Sequence, residues 1–375
     1  MSANDISRRV FLVSSVAGAA AVTGTGGVSA QEKAGVEKKG GQKLSVEKLR
    51  AWEGLQYGMF IHYGMSTFVQ NELPDGMAPA STYAPDKLDV AQWVSVARDA
   101  GMKYAVLTTK HVAGHCLWPT KHTDYSVANS ADKTNVVEKF VTACRDKGVL
   151  PGFYYCSWDN HNRFGSKTPS DKGGDYNVPY THRKKRRHGN KTPIGERVEL
   201  PAFTTSLYQA FQTAQLTELL TQYGPIAETW IDIPGVLGRG YRTFLYNHVS
   251  SLQPDTVIMM NSGVSTQETY DAEYAWPSDI IAIERRLPVE AGFNKWRTIE
   301  GKEYYMPGEV CDPIGKDWFW VEGDMPRSDA SLAEQFAACK ARDVNLLLDV
   351  PPDNHGLIPE YWIKALNQLR KNANI

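Results

Sequence analysis

Two carboxylates stand where apolar runs stop. Thr229-Trp230-Ile231 ends on Asp232, and Ile281-Ala282-Ile283 ends on Glu284. A pair of acidic side chains facing one pocket can cleave a glycosidic bond, one attacking the anomeric carbon while the other protonates the leaving oxygen and later activates water. Three more apolar runs stop on groups able to hydrogen-bond a polyhydroxylated ligand. Phe60-Ile61 leads to His62, Leu107-Thr108-Thr109 to Lys110-His111, and Gly152-Phe153 to Tyr154-Tyr155. A lone strand-end carboxylate is commonly a helix cap or a salt-bridge partner; two of them beside strand-end His and Tyr favour catalysis.

Such groups need a scaffold that gathers strand ends. Apolar runs at Tyr57 to His62, Tyr104 to Thr109, Leu150 to Tyr155, Ile226 to Ile231, Thr256 to Met260 and Asn345 to Val350, with a weaker one at Ile280 to Ile283, read as strands. Between them lie amphipathic segments at Val90 to Ala100, Asn135 to Asp146, Leu207 to Gln222, Tyr241 to Leu252, Ser331 to Ala341 and Pro359 to Arg370. This alternation calls for parallel pairing, and its natural closure is a single (β/α)8 TIM-like barrel with loop insertions. In that α/β fold catalytic side chains project from the C-terminal ends of the strands.

The 375 residues carry Lys+Arg 41 against Asp+Glu 42, a net charge of -1 that offers no field for nucleic acid or an anionic membrane. Hydrophobic residues at 42% and charged residues at 22% are those of a globular chain with a sizeable core. The 10 Trp and 18 Tyr suit either a ring-binding pocket or an aromatic barrel core. With neither a P-loop nor a G-x-G-x-x-G turn, no organic cofactor is implied. Cys116, Cys144, Cys156, Cys311 and Cys339 form no C-x-x-C pair and read as core thiols, so no metal is expected on them.

At the N-terminus, Ser7-Arg8-Arg9-Val10-Phe11-Leu12, the apolar stretch Val13 to Val22 and Val28-Ser29-Ala30 make a twin-arginine export signal over residues 1–30. The apolar stretch is too short and too rich in Gly and Ala to span a bilayer, so the expected destination is the periplasm or extracellular space without membrane insertion. A flexible linker over 31–46 and a catalytic barrel over 47–375 complete the expected organisation. The basic run His182-Arg183-Lys184-Lys185-Arg186-Arg187-His188 reads as a solvated loop face, with contact to a sulfated glycan as its alternative.

Several segments, in order, resemble the α-L-fucosidases of glycoside hydrolase family 29: Gly58-Met59-Phe60-Ile61-His62-Tyr63-Gly64, Gly101 to His111, Gly152-Phe153-Tyr154-Tyr155, Tyr223-Gly224-Pro225 with Trp230-Ile231-Asp232, and Asn345 to Asp353 with Gly356-Leu357-Ile358. The resemblance runs from about Trp52 to the C-terminus. It implies a retaining exo-glycosidase that removes α-L-fucose from a fucosylated oligosaccharide or glycoconjugate. On this resemblance Asp232 takes the nucleophile position, Trp230 lines the sugar pocket, His62 and His111 bind hydroxyls, Tyr154 is a pocket tyrosine, and Glu72 matches a polar pocket residue of one branch. The acid/base falls on Glu284, with Glu309 as runner-up. Ser157-Trp158-Asp159-Asn160-His161 and Cys311-Asp312 look like the branch restricted to α-1,3/1,4-linked fucose. Many members carry a β-sandwich after the barrel; here some 17 residues follow Ile358, so a barrel without it is expected, working alone or in a homo-oligomer.

The chain also departs from the family. Two consecutive histidines and an acidic residue usually follow the lysine, where this chain has His111-Val112-Ala113-Gly114-His115; Ile231 and Ile233 stand where Phe and Gly are commoner. His115 either compensates or packs. These changes leave a related L-sugar such as L-galactose, or a sulfated fucan, as alternative substrates. A metal-dependent hydrolase using His62, His111 and His115 is a rival that lacks the expected His-x-His and carboxylate ligand. A non-catalytic sugar-binding barrel is a second rival, and the two carboxylates argue against it.

Overall fold

The computed structural model describes residues 40–162, 206–261, 270–285 and 293–375. The expected export signal, most of the expected linker and the basic run His182 to His188 lie outside the described residues.

Eight strands pair in parallel: β1 (Tyr57–Ile61), β2 (Tyr104–Lys110), β3 (Leu150–Cys156), β4 (Glu228–Asp232), β5 (Val257–Met260), β6 (Ile281–Glu284), β9 (Gly308–Pro313) and β10 (Asn345–Asp349). Their order, β5-β4-β3-β2-β1-β10-β9-β6, is the chain order wrapped round a cylinder, with β10 returning to β1. This is the expected barrel. Between β5 and β6 two side chains and one backbone bond carry the closure: Asp279 Oδ2 accepts from the Ile258 N–H at 2.8 Å, the Asp279 N–H donates to Ile258 O at 2.8 Å, and Ser278 Oγ accepts from the Met260 N–H at 2.9 Å.

Alternate residues of a strand point to opposite faces, and the packing follows that period. Met59, Ile61, Ala105, Leu107, Phe153, Tyr155, Ile231, Ile258 and Leu346 belong to the outer core under the helices. Phe60, Val106, Tyr154, Cys156, Trp230, Met259, Ala282, Cys311 and Leu347 fill the interior. Gly58 also faces inward, and a Cβ there would come within 2.5 Å of the Tyr104 ring, so glycine lets that ring cross the barrel floor.

The outer layer is built by α1 (Val46–Glu53), α2 (Met65–Val69), α3 (Val90–Asp99), α4 (Val136–Lys147), α5 (Ser206–Gln222), α6 (Arg239–Leu252), α7 (Ala272–Ala275), α8 (Asp329–Ala341) and α9 (Glu360–Ala373). Asp89, Asn135 and Ser328 cap the N-termini of α3, α4 and α8 by accepting from backbone N–H groups. The described residues after β10 hold α9 and no β-sandwich.

Three features differ from the sequence reading. Residues 40–46, expected within the linker, are tied down: the Gly40 N–H donates to Glu303 O, Gln42 Nε2 to Tyr305 O, and Leu44 is buried. Ser45 then caps α1, whose Leu49 and Trp52 join the barrel interior near Tyr104. Where a sixth strand-helix unit would place its helix, the antiparallel hairpin β7 (Trp296–Ile299) and β8 (Lys302–Tyr305) lies against α1 through Tyr305 Oη to Glu53 Oε2 at 2.9 Å and Lys295 Nζ to Glu53 Oε1 at 2.6 Å. Finally β9 is a barrel strand that the apolar-run criterion did not find.

Removing the Asp279 side chain leaves the buried Ile258 N–H without its partner. Asp279→Ala should therefore cost about 2–3 kcal/mol in urea denaturation, and a change below about 0.5 kcal/mol would show that the seam does not depend on this contact.

Candidate active site

The pleat of β4 points Glu228, Trp230 and Asp232 into the barrel at successive heights. Asp232 is uppermost, at the C-terminal mouth. Its Oδ2 accepts from Tyr154 Oη at 2.6 Å and its Oδ1 from Asn261 Nδ2 at 2.8 Å. Two donors thus hold the carboxylate and fix its plane. Tyr154 in turn stacks on Trp230, ring centroids 5.3 Å apart at 24°, and the register places the two residues side by side.

Glu284 ends β6 across the β5–β6 seam, half-buried and close enough to Asp232 to feel its charge. Burial first, and Asp232 second, push the Glu284 carboxyl up from 4.5 to about 7, with Glu72 adding to the rise and Arg285 and a hydrogen bond from Asn261 opposing it. Asn261, bonded to Asp232, thus also lies near the Glu284 carboxyl. Glu72, on the segment after α2, is half-buried within electrostatic reach of Glu284.

His62 follows β1 and is oriented by the last residue of β10. Asp349 Oδ1 lies 2.8 Å from His62 Nδ1 and also accepts the His62 backbone N–H at 3.2 Å. This contact places the proton on Nδ1 and turns Nε2 away from Asp349. His111 stacks on Tyr154 at 5.5 Å and 21°, and its ring lies 5.7 Å from that of His62. Its pKa is pushed well below the ordinary histidine value, by burial first and then by His62 and Lys110, so it is neutral near pH 7. Trp318 and Phe319, beyond β9, close one side: Trp318 lies 5.1 Å from His62, Phe319 4.9 Å from His111, and the Arg285 guanidinium sits 5.0 Å over Trp318.

The seven residues read from the sequence thus divide cleanly by place. His62, His111, Tyr154, Trp230, Asp232 and Glu284 lie at or just below the mouth, and Glu72 borders it. Glu309, the runner-up acid, does not reach it. On β9 it pairs with Ala282, one inward position below Glu284, is fully buried, and accepts from Trp230 Nε1 at 3.1 Å and Tyr104 Oη at 2.7 Å. His115 packs in the outer core, stacked on Tyr83 with its Nε2 2.8 Å from Ser130 Oγ. The three histidines of the metal reading accordingly do not converge, and among the described residues no group of three His, Cys, Asp or Glu is placed to hold a metal ion. All five cysteines are buried free thiols.

Sequence reasoning missed Asn261, Asp349 and the Trp318-Phe319 wall as parts of the site. Asn261 directly follows β5 much as Asp232 ends β4, so the same strand-end rule would have found it had amides been counted with carboxylates. The 157–162 loop owes its form to a buried ion pair: Lys110 Nζ lies 2.8 Å from Asp159 Oδ2 and 4.4 Å from the Tyr155 ring centroid, while Asp159 Oδ1 accepts the backbone N–H groups of His161 and Asn162. Asn160 Nδ2 donates to Pro74 O at 2.7 Å, joining this loop to the one that carries Glu72. Cys311 is interior beside Glu284, and Asp312 accepts from Gln335 and pairs with Arg327.

The raised Glu284 carboxyl has a stability signature. Below about pH 4.5 it is protonated folded and unfolded; between 4.5 and about 7 only the folded chain keeps the proton, so stability falls as pH rises. Glu284→Gln carries no such cost. In urea denaturation it should match the native protein at pH 4 and exceed it at pH 8; an equal gap at both pH values would contradict the raised carboxyl.

A sequence family described as Alpha-L-fucosidase matches residues 27–372. Alpha-L-fucosidase 1 of Arabidopsis thaliana is 29% identical over 336 residues, covering 86% of this chain and 59% of that protein. With a rice relative covered over 56% of its length, the chain spans little more than half of the curated relatives it matches first. A solved structure from Bacteroides thetaiotaomicron superposes with a TM-score of 0.67 at 26% identity, covering 86% of this chain and 66% of the other. Alpha-L-fucosidase isoenzyme 1 from Paenibacillus thiaminolyticus shares the fold, with a TM-score of 0.65 at 23% identity over 86% of this chain and 74% of its own. Matched over more than nine-tenths of its length, with paired strand-end carboxyls at the mouth of its barrel, the chain belongs to the alpha-L-fucosidase family.

Proposed function

We propose that this protein is a retaining exo-α-L-fucosidase acting on fucosylated glycans, with Asp232 as nucleophile and Glu284 as acid/base. The observation that carries the reading is the pairing at the mouth: Asp232 is kept an acceptor by Tyr154 and Asn261, while the neighbouring Glu284 is kept protonated near neutrality. That division of states is what double displacement asks of two carboxyls. Asp232 attacks the anomeric carbon, the bond to the leaving oxygen breaks, and Glu284 delivers its proton to that oxygen. Water then attacks the glycosyl ester, giving its proton to the Glu284 carboxylate as Asp232 departs. Trp230, Tyr154 and Phe319 supply apolar surface for a 6-deoxy sugar, and His62, His111 and Glu72 supply polar contacts. The likeness of the 157–161 and Cys311-Asp312 segments to the linkage-restricted branch supports α-1,3/1,4-linked fucose as the substrate.

Release of free L-fucose from a panel of aryl fucosides and branched, linear and sulfated fucosylated oligosaccharides tests the substrate. L-galactose or oligosaccharide fragments as the sole products would replace the sugar and keep the chemistry. Asp232→Ala should lose at least about 10³-fold in kcat, and azide should restore turnover with a glycosyl azide of inverted configuration; full activity in this variant would reject the assignment. The rate should fall about tenfold per pH unit above roughly 7, where Glu284 gives up its proton, and Glu284→Gln should remove that limb.

The Ser7-Arg8-Arg9-Val10-Phe11-Leu12 segment supports export by the twin-arginine route to the periplasm or beyond. Replacing Arg8 and Arg9 with Lys should leave the protein in the cytoplasm on fractionation, and unchanged export would refute the route.

A further inference from the structure

Below the catalytic mouth lies a second carboxyl pair. Glu228 on β4 and Glu309 on β9 are both fully buried inside the barrel, side by side, with no lysine or arginine among the residues that shift either of them. Neither touches the sugar-facing groups at the mouth except through one side chain. Glu309 Oε1 accepts from Trp230 Nε1 at 3.1 Å, and Glu309 Oε2 accepts from Tyr104 Oη at 2.7 Å. Trp230 supports the stacked Tyr154 ring, whose hydroxyl donates to Asp232 at 2.6 Å.

We propose that Glu309 is a positioning residue: by gripping the Trp230 indole from below, it sets through Tyr154 the orientation in which Asp232 meets the sugar. The inference rests on the fucosidase reading of the mouth and assigns it a device beneath the reacting groups. Three inward residues of β4, spaced two apart, divide the work. Glu228 completes the buried pair, Trp230 transmits its hold, and Asp232 receives it. A carboxylate grips an indole N–H more strongly than a neutral acceptor does. Burial raises both carboxyls, Glu228 also through the charge of Glu309, while only Glu309 meets the indole and phenol donors. An apolar core of the same volume would be cheaper to bury; the expense is explained by the orientation it gives the ring above.

The test combines Glu309→Leu, Glu309→Gln and Trp230→Phe with the two double variants. Each is assayed on an aryl α-L-fucoside and examined through the indole N–H signals of 15N-tryptophan-labelled protein, the Trp230 signal being the one lost in Trp230→Phe. Glu309→Leu should lower kcat/KM about tenfold. Glu309→Gln, whose amide oxygen still accepts from the indole, should stay within about threefold. In the Trp230→Phe background, where there is no N–H to grip, Glu309→Leu should cost less than about twofold. Equal losses in both backgrounds would show a role in stability alone and overturn the proposal. If Glu309→Leu does not fold, the Gln variant decides: the Trp230 N–H signal should move upfield as an amide replaces the carboxylate, and an unmoved signal refutes the grip. If the native protein releases no sugar from any fucoside, the functional reading fails, whereas the same indole signal still decides whether Glu309 holds Trp230.

Discussion

Among the described residues the barrel interior holds more carboxyl groups than cations to balance them, and the arrangement around the mouth follows from how each is accommodated. A buried carboxylate must find donors, a counter-charge or a proton. Asp232 finds two donors in Tyr154 and Asn261. Asp349 finds His62 and its backbone N–H, although burial still raises its carboxyl to about 6. Burial raises the carboxyls of Glu284, Glu228 and Glu309, so these are the ones that meet the demand with a proton. Lys110, the fully buried lysine at the end of β2, is committed to Asp159 and to the shape of the rim loop. Different answers to one electrostatic demand thus yield acceptor, oriented imidazole, acid and anchor within a single cavity.

Much of this was legible as residue order. An apolar run that ends in a polar residue is a strand delivering that residue to an edge, and the period of two carries the same logic downward from Asp232 to Trp230 to Glu228. What stayed hidden has a common physical cause, since it depends on partners distant in sequence. Gly308-Glu309-Val310-Cys311-Asp312-Pro313 has the composition of a loop, and it becomes a strand because β6 and β10 pair with it and Trp230 and Tyr104 satisfy its buried glutamate. The hairpin of β7 and β8 is anchored by Glu53, over 240 positions earlier in the chain. His115 lies four residues beyond His111, yet the turn at Gly114 sends it to the outer core; a Cβ at Gly114 would come within 2.3 Å of Asp159 Oδ1. Nothing in the local spelling distinguishes those two histidines.

Ile233 is a different kind of mismatch. It follows Asp232 directly and adopts a left-handed backbone with φ 49, a region that β-branched residues avoid. Glycine, commoner at this position in the family, would take that conformation at no steric cost. The isoleucine side chain packs against both the outer and the interior core, so apolar contact offsets the local strain. The turn after Asp232 is consequently stiffer than a glycine turn would be.

The barrel's seam bears on the stereochemistry of the proposed reaction. Asp232 and Glu284 stand on opposite sides of the β5–β6 junction, which is closed by Ser278 and Asp279 side chains, with Asn261 spanning it above. Retention asks for carboxyl groups roughly 5–5.5 Å apart and inversion for roughly 6.5–9.5 Å. A junction held by two side chains and one backbone hydrogen bond can be widened by changing one or two residues, whereas a continuous ladder would require a shift of register. The width of this one gap, which the proposed double displacement depends on, thus rests on Ser278 and Asp279, which bond to neither carboxyl group, and on Asn261, which donates to Asp232.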